Sequence, residues 1–204
     1  MSNEKIDFNK ILKDSTETLL NPKEYFASMS LTGGFVEPLI KAAIYGALAG
    51  LFSLLWNVLG FSAMGIGAWG SAVGIMSLIW SVIGAMIGVF IGGVVVLVIS
   101  AICGGNTDFE ASVRISASLM VIYPISACLA FFYALNFTLG GVVGLAVNLY
   151  GLYLLYHAII QALKGKESAM KIVAIVLLVI ALLGFFQGRR ATNTFRDFTE
   201  MYDD

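Results

Sequence analysis

Charged and polar positions alternate with apolar ones as far as Lys41 and then stop. Residues 42–107, sixty-six positions, contain no Asp, Glu, Lys or Arg. One bilayer crossing takes about 20 apolar residues, so this run predicts at least two. The closely spaced Gly60, Gly65, Gly67 and Gly70 make a poor helix and predict a hairpin connection over 61–70. A first span therefore opens at Glu37-Pro38, where proline suits the first helical turn, and runs to about Gly60. The second, over 71–102, is longer than one crossing needs and must tilt, kink or project. Thr107-Asp108-Phe109-Glu110 has the form of a capping box, with Thr107 as the cap and Glu110 reaching back. A third span over 113–135 follows, kinked near its middle by Pro124. Gly140 and Gly141 separate it from a fourth that ends near Leu163, and Lys164-Gly165-Lys166 precedes a fifth over 168–186.

Before the first span the pattern is helical but amphipathic. Phe8, Ile11, Leu12, Leu19 and Leu20 recur among acids and lysines, as in a helix lying on a membrane surface. Asn21-Pro22-Lys23-Glu24 restarts a helix, with Asn21 as cap. The chain thus reads as an all-α, polytopic membrane bundle of five transmembrane helices. It has an interfacial amphipathic segment at 1–34, the bundle at 35–188 and a polar tail at 189–204. Hydrocarbon admits only elements whose peptide groups bond internally, which is why the spans must be helices.

Composition strengthens this reading. The chain is 59% hydrophobic with a mean hydropathy of +0.89, against about 45–50% apolar in ordinary soluble domains. Glu4, Asp7, Asp14 and Glu17 break up the N-terminus, so it does not read as a secretory signal peptide. Lysines and arginines give the orientation. With the N-terminus inside, Lys5, Lys10, Lys13, Lys23, Lys41, Arg114, Lys164, Lys166 and Lys171 all fall inside and the two outer hairpins hold none. Five spans then leave Arg189, Arg190 and Arg196 outside, against the same tendency. The expected location is a membrane, crossed several times, with the N-terminus inside.

The chain carries little chemistry. His157 is its only histidine, which excludes histidine-pair zinc sites. Cys103 and Cys128 have no CxxC partner and read as small core residues, with no disulfide or metal site. Gly60-Phe61-Ser62-Ala63-Met64 misses the nucleophile-elbow pattern at its last position, a carboxylate pair inside the spans is missing because only Asp108 lies near one, at its mouth, and no glycine run has phosphate-loop form. With 12 basic residues against 13 acidic ones and no basic stripe, nucleic acid is not expected, nor is any cofactor. Two groups of residues remain. Glu37, Lys41, Asp108, Glu110 and Arg114 gather by topology at one side of the membrane. There, pairing of Arg114 with Glu37 or Glu110 would join the first and third spans, or the cluster would dock a partner. Asn148, His157 and Gln161, facing Tyr123 and the carbonyl freed by Pro124, could line a small polar cavity or serve as structural hydrogen-bonding groups. Gly84, Gly88 and Gly92 bare one stripe of the second span for close helix packing, within the monomer or between copies.

Three stretches together resemble the YIP1 family of five-span membrane proteins, and within it the bacterial branch. They are Asn21-Pro22 with Gly33-Gly34 and Glu37-Pro38-Leu39; the run from Cys103-Gly104-Gly105 through Asp108-Phe109-Glu110 to Arg114, leading to Tyr123-Pro124; and Leu152-Tyr153-Leu154-Leu155-Tyr156 before Lys164-Gly165-Lys166. His157 departs from the small residue common there, and the arginine-bearing tail is longer than the family's. The resemblance implies a non-enzymatic membrane scaffold or adaptor, since eukaryotic members organise early secretory membranes and contact Rab GTPases. Membrane lipid and a protein partner or second copy are the expected partners. A small transporter or channel with a polar path near Pro124 and His157, or an accessory subunit of a larger complex, are the alternatives.

Overall fold

A computed structural model describes residues 8–61 and 70–202, with side chains at 8–61 and 76–186. Nine α-helices and one π-helical turn occur among these residues. Two short helices come first, α1 (Phe8–Leu20) and α2 (Pro22–Ser28), followed by α3 (Val36–Val58) and α4 (Gly70–Ile102). The third apolar segment comprises α5 (Phe109–Leu119), α6 (Ile122–Leu129) and α7 (Phe131–Leu135). Then come α8 (Phe137–His157), a π turn (Ala158–Ala162) and α9 (Glu167–Tyr202). Five segments are long and apolar enough to cross a membrane: Val36–Val58, Met76–Ile102, Phe109–Leu135, Phe137–Ala162 and Glu167–Phe186. The expected five-span helical bundle is therefore the fold. The glycine connection at 61–70 falls largely outside the described residues, as does Ser62-Ala63-Met64.

Several boundaries differ from the sequence reading for local reasons. The cap of α5 is Asp108, whose carboxylate accepts from the Ala111 amide at 2.8 Å. Thr107 is not the cap and Glu110 is engaged elsewhere, so α5 begins at Phe109. The proline-containing segment is broken more than kinked. A proline ring clashes with the carbonyl four residues back, and here that carbonyl, of Met120, instead takes the Tyr123 amide at 2.9 Å in a tight i→i+3 turn. Asn136 caps α8 by accepting from the Leu139 amide at 3.0 Å, so Gly140 and Gly141 lie inside that helix. Gly140 serves contact there: a Cβ on it would stand 2.6 Å from the Tyr133 backbone. Asn21 occupies the N-cap of α2 without a side-chain capping bond, and Pro22 fills its first turn. α9 continues as helix past the fifth span to Tyr202.

Small residues set the helix contacts, as expected where lipid removes the hydrophobic drive between helices. A Cβ on Gly46 would lie 2.8 Å from the Ser81 carbonyl oxygen, and the Ser81 hydroxyl donates to the Gly46 carbonyl at 2.7 Å. α3 and α4 thus meet backbone to backbone. Gly93 packs against Val113 and Gly92 against Ser116, seating α5 on α4. A Cβ on Gly84 or Gly88, by contrast, would meet no atom of another element within 4 Å among the described residues.

Candidate functional site: an ion-paired cleft at one end of the bundle

The chain between α2 and α3 is irregular, so its peptide groups need partners other than helix neighbours. Arg114 on α5 and Glu110, one turn earlier, supply them. The Arg114 guanidinium donates to the Ser30 carbonyl at 2.9 Å, the Gly34 carbonyl at 3.1 Å and the Glu37 carboxylate at 2.6 Å. Glu110 Oε1 accepts from the amides of both Gly33 and Gly34, each at 2.6 Å. Those two residues have φ of +130° and +80°, a region side chains disfavour. The glycine pair is therefore what turns both amides toward one carboxylate.

Lys41, one turn below Glu37 on α3, is only 5% exposed. Its ammonium bonds Asp14 of α1 at 2.7 Å and lies 3.4 Å from both Glu37 and the Tyr25 hydroxyl. Lys10 reaches the same Glu37 at 3.4 Å. Around this network a cleft of about 280 Å³ opens, walled by α1, α2, α3 and α5, with Lys10, Asp14, Glu17, Ser30, Lys41 and Arg114 in its lining. Burial of charge is costly unless it is paired and hydrogen-bonded, and here each buried cation has an acid and further oxygen partners.

The structure thus brings Glu37, Lys41, Glu110 and Arg114 together. Asp108 stands apart as the α5 cap. Asp14, Tyr25 and Tyr45 belong to the network and escaped the sequence reading. A lysine at the head of an apolar span requires a counter-ion, and that rule could have directed attention to Asp14.

The second cluster does not assemble. Asn148 lines a cavity of about 590 Å³ between α8 and α9, together with Tyr133, Gly144, Leu177 and Phe185, and none of Tyr123, His157 or Gln161 lines it. The Asn148 amide donates to the Gly144 carbonyl of its own helix at 2.9 Å. His157 sits edge-on to Tyr153 and Tyr156, its Nδ1 buried with no hydrogen-bond partner among the described residues. Tyr123 is 43% exposed and Gln161 lies in the π turn. Among the described residues no group of His, Cys, Asp and Glu is placed to hold a metal ion. Burial of Cys103 pushes its thiol above the ordinary range, and its sulfur faces that of Met170 at 3.8 Å.

Beside the cleft, the connections before α5 and after α8 are stitched together. The Asn106 amide donates to the Leu163 carbonyl at 2.7 Å and the Lys166 amide to the Cys103 carbonyl at 2.8 Å. A Cβ on Gly105 would lie 2.8 Å from the Leu163 carbonyl, and one on Gly165 would lie 3.1 Å from Cys103 Cβ. Gly33-Gly34-Glu37, Cys103 to Arg114 and Lys164-Gly165-Lys166 therefore all meet at one end of the bundle.

Five apolar helices joined by a polar, ion-paired end define a multi-span membrane protein. A family model for the Yip1 domain matches residues 16–187. That match covers most of the chain, and the protein belongs to the Yip1 family. No curated protein and no solved structure matches it.

Proposed function

We propose that the protein is a non-enzymatic membrane scaffold or adaptor that docks a protein partner at the ion-paired end of its bundle. The observation that carries this reading is the cleft itself. Its buried charges are already committed to one another, so its shape is fixed before anything binds. Its rim still offers exposed Lys10 and partly exposed Glu17. A preorganised surface of fixed and complementary charge favours docking with little ordering cost. Family membership agrees with a membrane role. Permeation would need polar groups gathered along a path, and Tyr123, Asn148, His157 and Gln161 do not line one cavity together.

Crosslinking in native membranes tests the reading. A photoreactive group at Ser28, in the cleft lining, should recover a discrete protein. Reversing the rim charges with Lys10→Glu and Glu17→Lys should reduce that product at least tenfold while the bundle stays folded. Recovery of lipid alone, or of a product indifferent to the reversals, would sink the proposal.

A further inference from the structure

We propose that the groove between α8 and α9 binds a neutral lipid of the acylglycerol class. One acyl chain lies along the groove, and the hydroxyl and ester carbonyl of the head meet Asn148 and Tyr133 at mid-span.

The groove encloses about 590 Å³, within the range of about 300–1,000 Å³ usual for small-ligand sites. α8 and α9 come together at both ends of it and part between. At one end a Cβ on Gly141 would stand 3.0 Å from the Phe185 ring. At the other, Leu155 and Leu177 both pack against the core that holds Ile159, Leu163 and Met170. Between these closures the lining is small: Gly144 and Gly151 on α8, Ala181 and Gly184 on α9. Small residues let helices close on one another, yet here the space stays open. A Cβ on Gly184 would meet no atom within 4 Å among the described residues. The bare walls therefore leave room for a chain-shaped occupant instead of serving helix contact.

The lining also says which lipid. Residues 115–163 and 172–188 contain no Asp, Glu, Lys or Arg, and both walls belong to membrane spans, Phe137–Ala162 and Glu167–Phe186. Asn148 stands about 17 Å along the helix from Phe137 and about 21 Å from Ala162, near the middle of its span. A charged phospholipid head is costly at that depth, whereas a neutral head is not. Asn148 has two N–H donors and a carbonyl acceptor, and one donor is spent on the Gly144 carbonyl at 2.9 Å. The same glycine admits Tyr133 of α7, since a Cβ on it would stand 2.7 Å from the Tyr133 hydroxyl oxygen. That hydroxyl, the second Asn148 N–H and the Asn148 carbonyl have no hydrogen-bond partner among the described residues. Unpaired polar groups are expensive in hydrocarbon, and a plain alkyl chain would leave all three unmet. An acylglycerol head matches them: its hydroxyl donates to Asn148 Oδ1, and an ester carbonyl accepts from Tyr133 Oη or Asn148 Nδ2. None of the residues of the ion-paired cleft lines the groove, so lipid binding here is separable from docking there.

The test uses the full chain in phosphatidylcholine vesicles doped with a diacylglycerol that carries a diazirine and an alkyne in one acyl chain. Photolabelling should map to 141–152 and 177–185, saturate with the mole fraction of the probe and be displaced by unlabelled diacylglycerol. Phosphatidylcholine bearing the same tagged chain should label exposed Ile172 and Ile175 as well as the diacylglycerol does, and the groove far less. Asn148→Leu, which removes the hydrogen-bonding head contact, should raise the half-saturating mole fraction of diacylglycerol roughly tenfold without lowering the unfolding temperature. Gly184→Leu, whose added side chain enters open space, should abolish groove labelling while the bundle stays folded. Equal groove labelling by the two probes would show ordinary bulk lipid, and saturation unmoved by Asn148→Leu would show that the polar groups select nothing. A crosslinked dimer in place of lipid adducts would show a second copy in the groove. Each of these results, like an unlabelled groove, overturns the proposal.

Discussion

Arg114 fastens three separate points of the 30–37 connection to α5, and its side chain is only 7% exposed. Removing one member of a buried ion pair strands the other, at a cost of about 3–5 kcal/mol. Arg114→Ala is therefore expected to lower the unfolding temperature in detergent sharply. Arg114→Lys should recover little, because a point-like ammonium cannot reach the Ser30 and Gly34 carbonyls and Glu37 together. Asp108→Ala removes only a cap, and about 1 kcal/mol is expected, read as a small shift of the same transition. Arg114 was legible as a partner of Glu37 or Glu110, because the topology gathers these charges at one side of the membrane. The role of Glu110 was not, since its partners are backbone amides of two glycines, and no side-chain pattern announces an amide that a positive φ has turned.

Among the helices, glycine spacing showed where close approach was available but not where it was used. The stripe Gly84, Gly88 and Gly92 is uniform in sequence, yet only on Gly92 would a Cβ meet another element among the described residues. Gly46 on α3 and Gly93 beside the stripe approach a neighbouring backbone. Gly46→Leu should therefore disrupt the α3–α4 pair and abolish a monodisperse folded species on size exclusion. Gly88→Leu should leave the monomer folded, and any loss it causes should be confined to self-association. The third span shows a similar limit. Pro124 announces an interruption, but the break at Met120 and Val121 depends on which carbonyl the ring displaces and how the freed groups are paired again.

In the whole molecule the short helices before the first span join the rest through side chains of α1, through Tyr25 and Phe26 of α2, and through the irregular chain after α2. Asp14→Asn should loosen this joint and leave the five spans in place. Proteolysis at Lys10 and Lys13 in vesicles should quicken, while the unfolding temperature falls less than for Arg114→Ala. The number of spans, their approximate limits and the all-helical class follow from sequence alone, because hydrocarbon imposes one rule on every peptide group and the rule appears as apolar runs of fixed length. The ordered motifs carried family membership for the same reason: each lies where a run begins or ends. Tertiary structure decided which polar groups meet. Asp14 and Lys41 are 27 residues apart and Tyr25 and Ser118 are 93 apart, and periodicity along one chain says nothing about which helix stands beside which. For this reason the cluster around Glu37 and Arg114 came together, Tyr123, Asn148, His157 and Gln161 did not, and the amphipathic preface turned Asp14, Ser15 and Thr18 toward the protein while Lys10 and Lys13 stayed exposed.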